Sequence, residues 1–141
     1  MNINADPSKI ILTDCDGVLL NWEKSFHEWM TQNEHELQEG YQSTYKIGEM
    51  YGISNNSAHK LIREFNQSAW MCCLPVLRDA QEGVAHLVKN GFTFDVITSL
   101  SSDPFAAKLR TQNLEQVFTS EPWDKLICLD CGADKHDALA E

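Results

Sequence analysis

A chain of 141 residues, 43% of them apolar, has room for one domain with a real core and little for a second. Twenty-one acids against 11 bases give a formal charge of -10, and no basic residues form a run, which argues against nucleic acid polymers and anionic membranes as partners. The first residues contain no apolar signal region, no apolar run approaches spanning length, and five cysteines is an odd count that suits reduced thiols, so a cytoplasmic protein is expected.

The first predicted element is a buried strand, Ile10-Ile11-Leu12, running into Asp14, Asp16 and the turn-forming Gly17. In a parallel α/β sheet the carboxyl end of such a strand opens on the ligand crevice, where both carboxylates would project. Two close carboxylates suit a hard cation such as magnesium together with a phosphate. An aspartate at that point can attack phosphorus while its neighbour gives and takes a proton. A calcium-binding loop is excluded, because counting from Asp14 puts Leu19 at the glycine position and Ser25 at the closing glutamate position.

Asp14-Cys15-Asp16-Gly17-Val18-Leu19 resembles the first motif of the haloacid dehalogenase superfamily phosphatases. The continuation Leu20-Asn21-Trp22-Glu23, with Phe26 beyond it, is similar to the 5'(3')-deoxyribonucleotidase branch. Trp22, Phe26 and Trp29, with Met30, share one face of a predicted helix, and such a stripe usually packs a helix on its neighbours. Trp22 lies only six residues beyond Asp16, so it belongs near the crevice mouth; the resemblance implies that its ring stacks on a nucleobase. Phe26 is the second aromatic candidate for substrate contact.

A short helix is expected around residues 41 to 50. A longer one follows Ser54, an N-cap, with Ala58, Leu61, Ile62 and Phe65 on its apolar face. This helical stretch, residues 21–74, resembles the cap inserted after motif one, with residues 1–20 and 75–141 as the core. A cap excludes water and contributes specificity residues. Trp70 closes it and faces either substrate or core. Cys128-x-x-Cys131 has metal or redox spacing, but the adjacent Cys72 and Cys73 cannot easily hold one ion together and no histidine spacing accompanies them, so small buried hydrophobes are the better reading.

Leu74 to Leu77 returns the chain to the core. Asp79 and Glu82 read as a capping box, Val84, Leu87 and Val88 as the apolar face, and Gly91 as the stop. A second strand covers Phe92 to Thr98. Asp103-Pro104 then opens a helix whose buried face is read as Phe105, Leu109 and Leu114, and a third strand spans Leu126 to Leu129. The unit ending in Thr98-Ser99 is similar to the superfamily's second motif, which implies that the Thr98 hydroxyl binds a phosphoryl oxygen with Ser99 supporting it. The stretch Gly132 to Leu139 resembles the third motif, which implies that Lys135 neutralises nucleophile and phosphate.

The resemblance covers three of the superfamily's four motifs, since no strand bearing a fourth, acidic motif follows Lys135 before Glu141. The expected fold is α/β, a three-layer Rossmann-like parallel sheet with a helical cap after the first strand, incomplete at its carboxyl end. The expected activity is magnesium-dependent hydrolysis of a phosphate monoester, most closely a (deoxy)nucleoside monophosphate. Asp14 would be the nucleophile, Asp16 the acid and base, and both would contribute to the metal site. The first strand would be an open apolar edge, so a complementing C-terminal polypeptide, or a second copy, is an expected partner. The alternatives are a catalytically incomplete interaction protein of the same fold and a phosphatase acting on sugar phosphates.

Overall fold

The computed structural model describes residues 7–119, 122–130 and 134–139. Strand β1 (Ile10–Thr13) leads into the acidic turn, and three helices follow: α1 (Trp22–Gln32), α2 (Ile47–Tyr51) and α3 (Asn55–Asn66). Helix α4 (Ala80–Lys89), strand β2 (Thr93–Ser99), helix α5 (Pro104–Val117), strand β3 (Trp123–Leu129) and helix α6 (His136–Leu139) complete the order. The strands form one parallel sheet in the order β1-β2-β3, with Thr13 opposite Val96 and Thr98 opposite Cys128. Helical crossovers between parallel strands are what such a sheet requires. Among the described residues β1 pairs only with β2, and Leu12 on this edge is 54% exposed. No helix among the described residues is long and apolar enough to cross a membrane.

The aromatic helix, the Ser54-capped helix and the alternation of helices with strands form as their sequences predict; β1 forms in its expected place but is not the buried strand expected, since Ile10, Ile11 and Thr13 are partly exposed and Leu12 is exposed. Asn21 caps α1 by accepting from the Lys24 N–H at 3.1 Å, and Ser54 caps α3 by accepting from the Ser57 N–H at 3.2 Å. Asp103 caps α5 through the Phe105 N–H at 3.0 Å, with Pro104 in the first turn. Gly91 ends the α4 region at φ +86°, a backbone conformation that favours glycine.

Four local readings are corrected. The stretch 41–50 is not one helix: residues Tyr41–Ser43 make a single 3-10 turn, Thr44 is extended, and α2 begins only at Ile47. Asp79 forms no capping box, because its backbone sits at φ +66° and its carboxylate reaches back to the Arg78 Nε at 3.2 Å. Strand β2 is shifted by one residue, to Thr93–Ser99, and β3 begins at Trp123, three residues before its apolar run. The buried face of α5 is Ala106, Leu109, Arg110, Asn113 and Leu114, so Phe105 falls beside it and is 56% exposed. Two polar residues on that face hide it from a hydrophobicity reading.

The helical segment leaves and rejoins the sheet at one place. Asn21 N–H donates to the Pro75 carbonyl at 2.7 Å and Leu77 N–H to the Leu19 carbonyl at 2.9 Å, so the outgoing and returning strands of chain lie side by side. Phe26, Met30, Phe65, Met71 and Leu74 are buried in the same cluster as Leu20, Val96 and Leu100. One apolar core thus runs from sheet to helices, and each such side chain contributes about 1.5–3 kcal/mol on burial.

Candidate active site

The turn after β1 is built around Cys15. Its carbonyl accepts from the N–H groups of Leu19 at 2.8 Å and Leu20 at 3.1 Å, while Gly17 at φ +76° donates to the Leu20 carbonyl at 2.9 Å. A Cβ on Gly17 would meet nothing within 4 Å, so backbone conformation and not space calls for glycine here. The turn sends Asp14 outward and Cys15 inward. Asp14 is 44% exposed in its side chain; Oδ1 accepts from the Cys15 N–H at 2.7 Å and Oδ2 meets the Lys135 Nζ at 2.7 Å. The sequence places these two residues 121 positions apart, and the fold brings them into contact at the carboxyl end of β1.

Asp16 has a different partner. The guanidinium of Arg110 donates from Nη1 to Oδ1 at 2.5 Å and from Nη2 to Oδ2 at 3.0 Å, and Nη1 also donates to Cys15 Sγ at 3.0 Å. Arg110 is fully buried, whereas the Asp16 side chain is 25% exposed. Burial pushes the Asp16 carboxyl above the ordinary aspartate range against the pull of Arg110, which suits a group that must carry a proton. Two acids and two bases therefore alternate across the turn, and their charges cancel locally although the whole chain is strongly acidic.

Burial also pushes the Cys15 thiol up to about 12. Cys15 is accordingly expected to escape iodoacetamide in the folded protein at about pH 8.5, where a free cysteine is half ionised, and to react once the chain is unfolded. Peptide mass spectrometry reads the difference; modification of Cys15 at the rate of an exposed thiol would contradict this burial.

The remaining sequence candidates divide. Trp22 lines a cleft of about 510 Å³ together with Asp16, Gly17, Tyr45, Ile47 and Ile62, and its Nε1 donates to Asn66 Oδ1 at 2.8 Å. The structure thus places Trp22 and Asp16 on one cleft. Phe26 is excluded from substrate contact by complete burial, since it stacks on Trp22 at 4.7 Å and meets Phe65 edge-on at 5.5 Å. Trp70 lines another recess, with Lys24, Glu28 and Cys73, that contains none of the acids Asp14 and Asp16.

Thr98 is fully buried and its Oγ1 has no partner, while the β2 residue lining the small recess beside Asp14 and Lys135 is Ile97. The structure does not bring the Thr98 hydroxyl to that pair. Ser99 ends β2 opposite Leu129. Gly132, Ala133 and Cys131 lie outside the described residues. Among those described, no three His, Cys, Asp or Glu side chains converge as a metal site. Arg110 escapes sequence reading, for an arginine in mid-helix reads as a surface residue and its partner lies 94 positions away.

No protein-family profile matches the sequence, and no curated protein matches it. Among solved structures, a haloacid dehalogenase-like hydrolase from Bacteroides fragilis superposes with a TM-score of 0.60 at 14% identity, over 94% of this chain and 70% of that one. A beta-phosphoglucomutase from Thermotoga maritima gives 0.44 at 15% identity, over 85% of this chain and 61% of that one. With its parallel sheet and helical segment after the first strand, the chain has the α/β fold of the haloacid dehalogenase-like hydrolases.

Proposed function

We propose that the chain is a magnesium-dependent phosphate monoester hydrolase of the haloacid dehalogenase type, acting on nucleoside monophosphates, with the deoxy forms preferred. The observation that carries the reading is the 2.7 Å contact between Asp14, half exposed at the end of β1, and Lys135, arriving from far along the chain. Lys135 lowers the charge barrier to a phosphate approaching an aspartate. Asp14 then attacks phosphorus and forms an aspartyl phosphate as the alkoxide departs. Asp16, two residues beyond and facing the cleft of Trp22, gives that alkoxide its proton and afterwards takes one from the attacking water.

Magnesium is commonly held by one or two carboxylates, the substrate phosphate and several waters. The donor set fits that sparse pattern: the Asp14 carboxylate and the Asp16 backbone carbonyl would hold the ion, while the Asp16 carboxylate is committed to Arg110. When bound, the ion supplies positive charge to the phosphate.

Residues 1–20 and 75–141 form the catalytic core in this reading, and 21–74 the cap that shields it and selects the substrate. The open edge of β1, with Leu12 exposed, supports a further element of the proposal: a strand from a complementing polypeptide pairs there and adds a further acid to the site. The same edge would serve a non-catalytic interaction protein. Incubation with magnesium and a panel of nucleoside monophosphates and sugar phosphates, with and without a complementing C-terminal fragment, tests the reading by released phosphate. Release from nucleotides is expected; release from sugar phosphates alone moves the substrate class, and binding without release in every combination overturns the enzymatic reading.

A further inference from the structure

The chemistry proposed above gives Arg110 no task, yet Arg110 heads the fully buried side chains by volume among the described residues. Its Nη1 and Nη2 engage the two Asp16 oxygens at 2.5 and 3.0 Å, Nη1 also meets Cys15 Sγ at 3.0 Å, and Nε has no partner. Stability does not account for such a pair, since a hydrophobic replacement of similar volume is often neutral or stabilising. What a fork-to-fork contact does supply is orientation, because two parallel N–H···O bonds fix the plane of the carboxylate. A carboxylate has about four lone-pair sites, so the guanidinium leaves one on each oxygen for other partners.

The helix bearing Arg110 is itself anchored. One turn along α5, the Asn113 amide donates to the Leu74 carbonyl and accepts from the Leu74 N–H, both at 3.0 Å. Helix α5 therefore grips the acidic turn through Arg110 and the returning linker through Asn113. The turn's backbone hydrogen bonds place Asp16, and the Arg110 fork fixes the plane of its carboxyl.

We infer that Arg110 is a positioning residue that locks the Asp16 carboxyl in the orientation from which it delivers a proton to the departing oxygen of a phosphate monoester. The inference rests on the phosphatase reading. It differs from mere charge balance, which a lysine would satisfy, because a lysine lacks the planar fork.

The test uses the full chain, two substrates and four variants. A nucleoside 5'-monophosphate needs a proton on its alkoxide; p-nitrophenyl phosphate departs as a stable phenolate and does not. Arg110→Met and Arg110→Lys are each expected to lose at least about tenfold more kcat on the nucleotide than on the nitrophenyl ester, with KM little changed, and Asp16→Asn sets the size of the full split. Independently, 15N spectra of the wild type are expected to resolve the Arg110 guanidinium protons as slowly exchanging signals, which Asp16→Ala collapses. Equal loss on both substrates, restoration by Arg110→Lys, or unresolved guanidinium signals would overturn the inference. Absence of turnover by the wild type on both esters, with and without the complementing C-terminal fragment, overturns the phosphatase reading first and this role with it; an active wild type without the split overturns this role alone.

Discussion

Asp14→Asn is expected to reduce phosphate release by about a thousandfold or more while leaving the unfolding midpoint close to that of the wild type. The activity loss follows from the role: an amide does not attack phosphorus, and removal of a nucleophile leaves only binding and electrostatic assistance. The small stability effect follows from geometry. Asp14 is half exposed, its contact with Lys135 is partly solvated, and such pairs contribute only about 0–1 kcal/mol. The amide oxygen of the substituted side chain can still accept from the Cys15 N–H, so the turn is kept. Malachite-green detection of phosphate and a urea melt, run on the same preparation, separate the two effects. A variant that retains wild-type turnover would remove Asp14 from the chemistry.

Phe26→Ala is expected to have the opposite profile, destabilising the fold by about 3–5 kcal/mol. Phe26 is the hub of an aromatic cluster, stacked on Trp22 at 4.7 Å and on Trp29 at 6.0 Å, and edge-on to Phe65 at 5.5 Å and Tyr51 at 6.3 Å. Its removal leaves a cavity among large rings that cannot collapse without moving α1 against α3. A stability of about 5–15 kcal/mol is common for native domains, so much of it is at stake. Chemical denaturation measures the change; a variant with wild-type stability and a raised KM would return Phe26 to the substrate side.

These two residues show where sequence reading succeeds and where it stops. Asp14 and Lys135 are legible together only through the order of their motifs, since neither has a local pattern that names the other. Phe26 and Trp22 belong to one helical stripe, and periodicity gives the face but not which ring ends at the cleft and which at the centre. Ser54, Gly91 and Asp103-Pro104 are legible because caps and stops are local chemistry. Asp79 defeats the same logic because a left-handed backbone, invisible in composition, turns its side chain toward Arg78. Arg110 and Asn113 are hidden for a broader reason: polar residues on a buried helix face are satisfied by partners far along the chain, and hydrophobic patterning scores them as breaks in the stripe.

The hydrogen bonds that join Asn21 to Pro75 and Leu77 to Leu19 have a consequence for how this protein can diversify. An excursion whose two ends meet tolerates longer or shorter connecting turns, because the entropic penalty of closing a longer loop grows only logarithmically, provided the side chains it shares with the sheet core, Phe26, Met30 and Phe65 among them, are kept. Its exposed turns can then vary in length and sequence, while Asp14, Asp16 and their counterions stay where the sheet and α5 hold them.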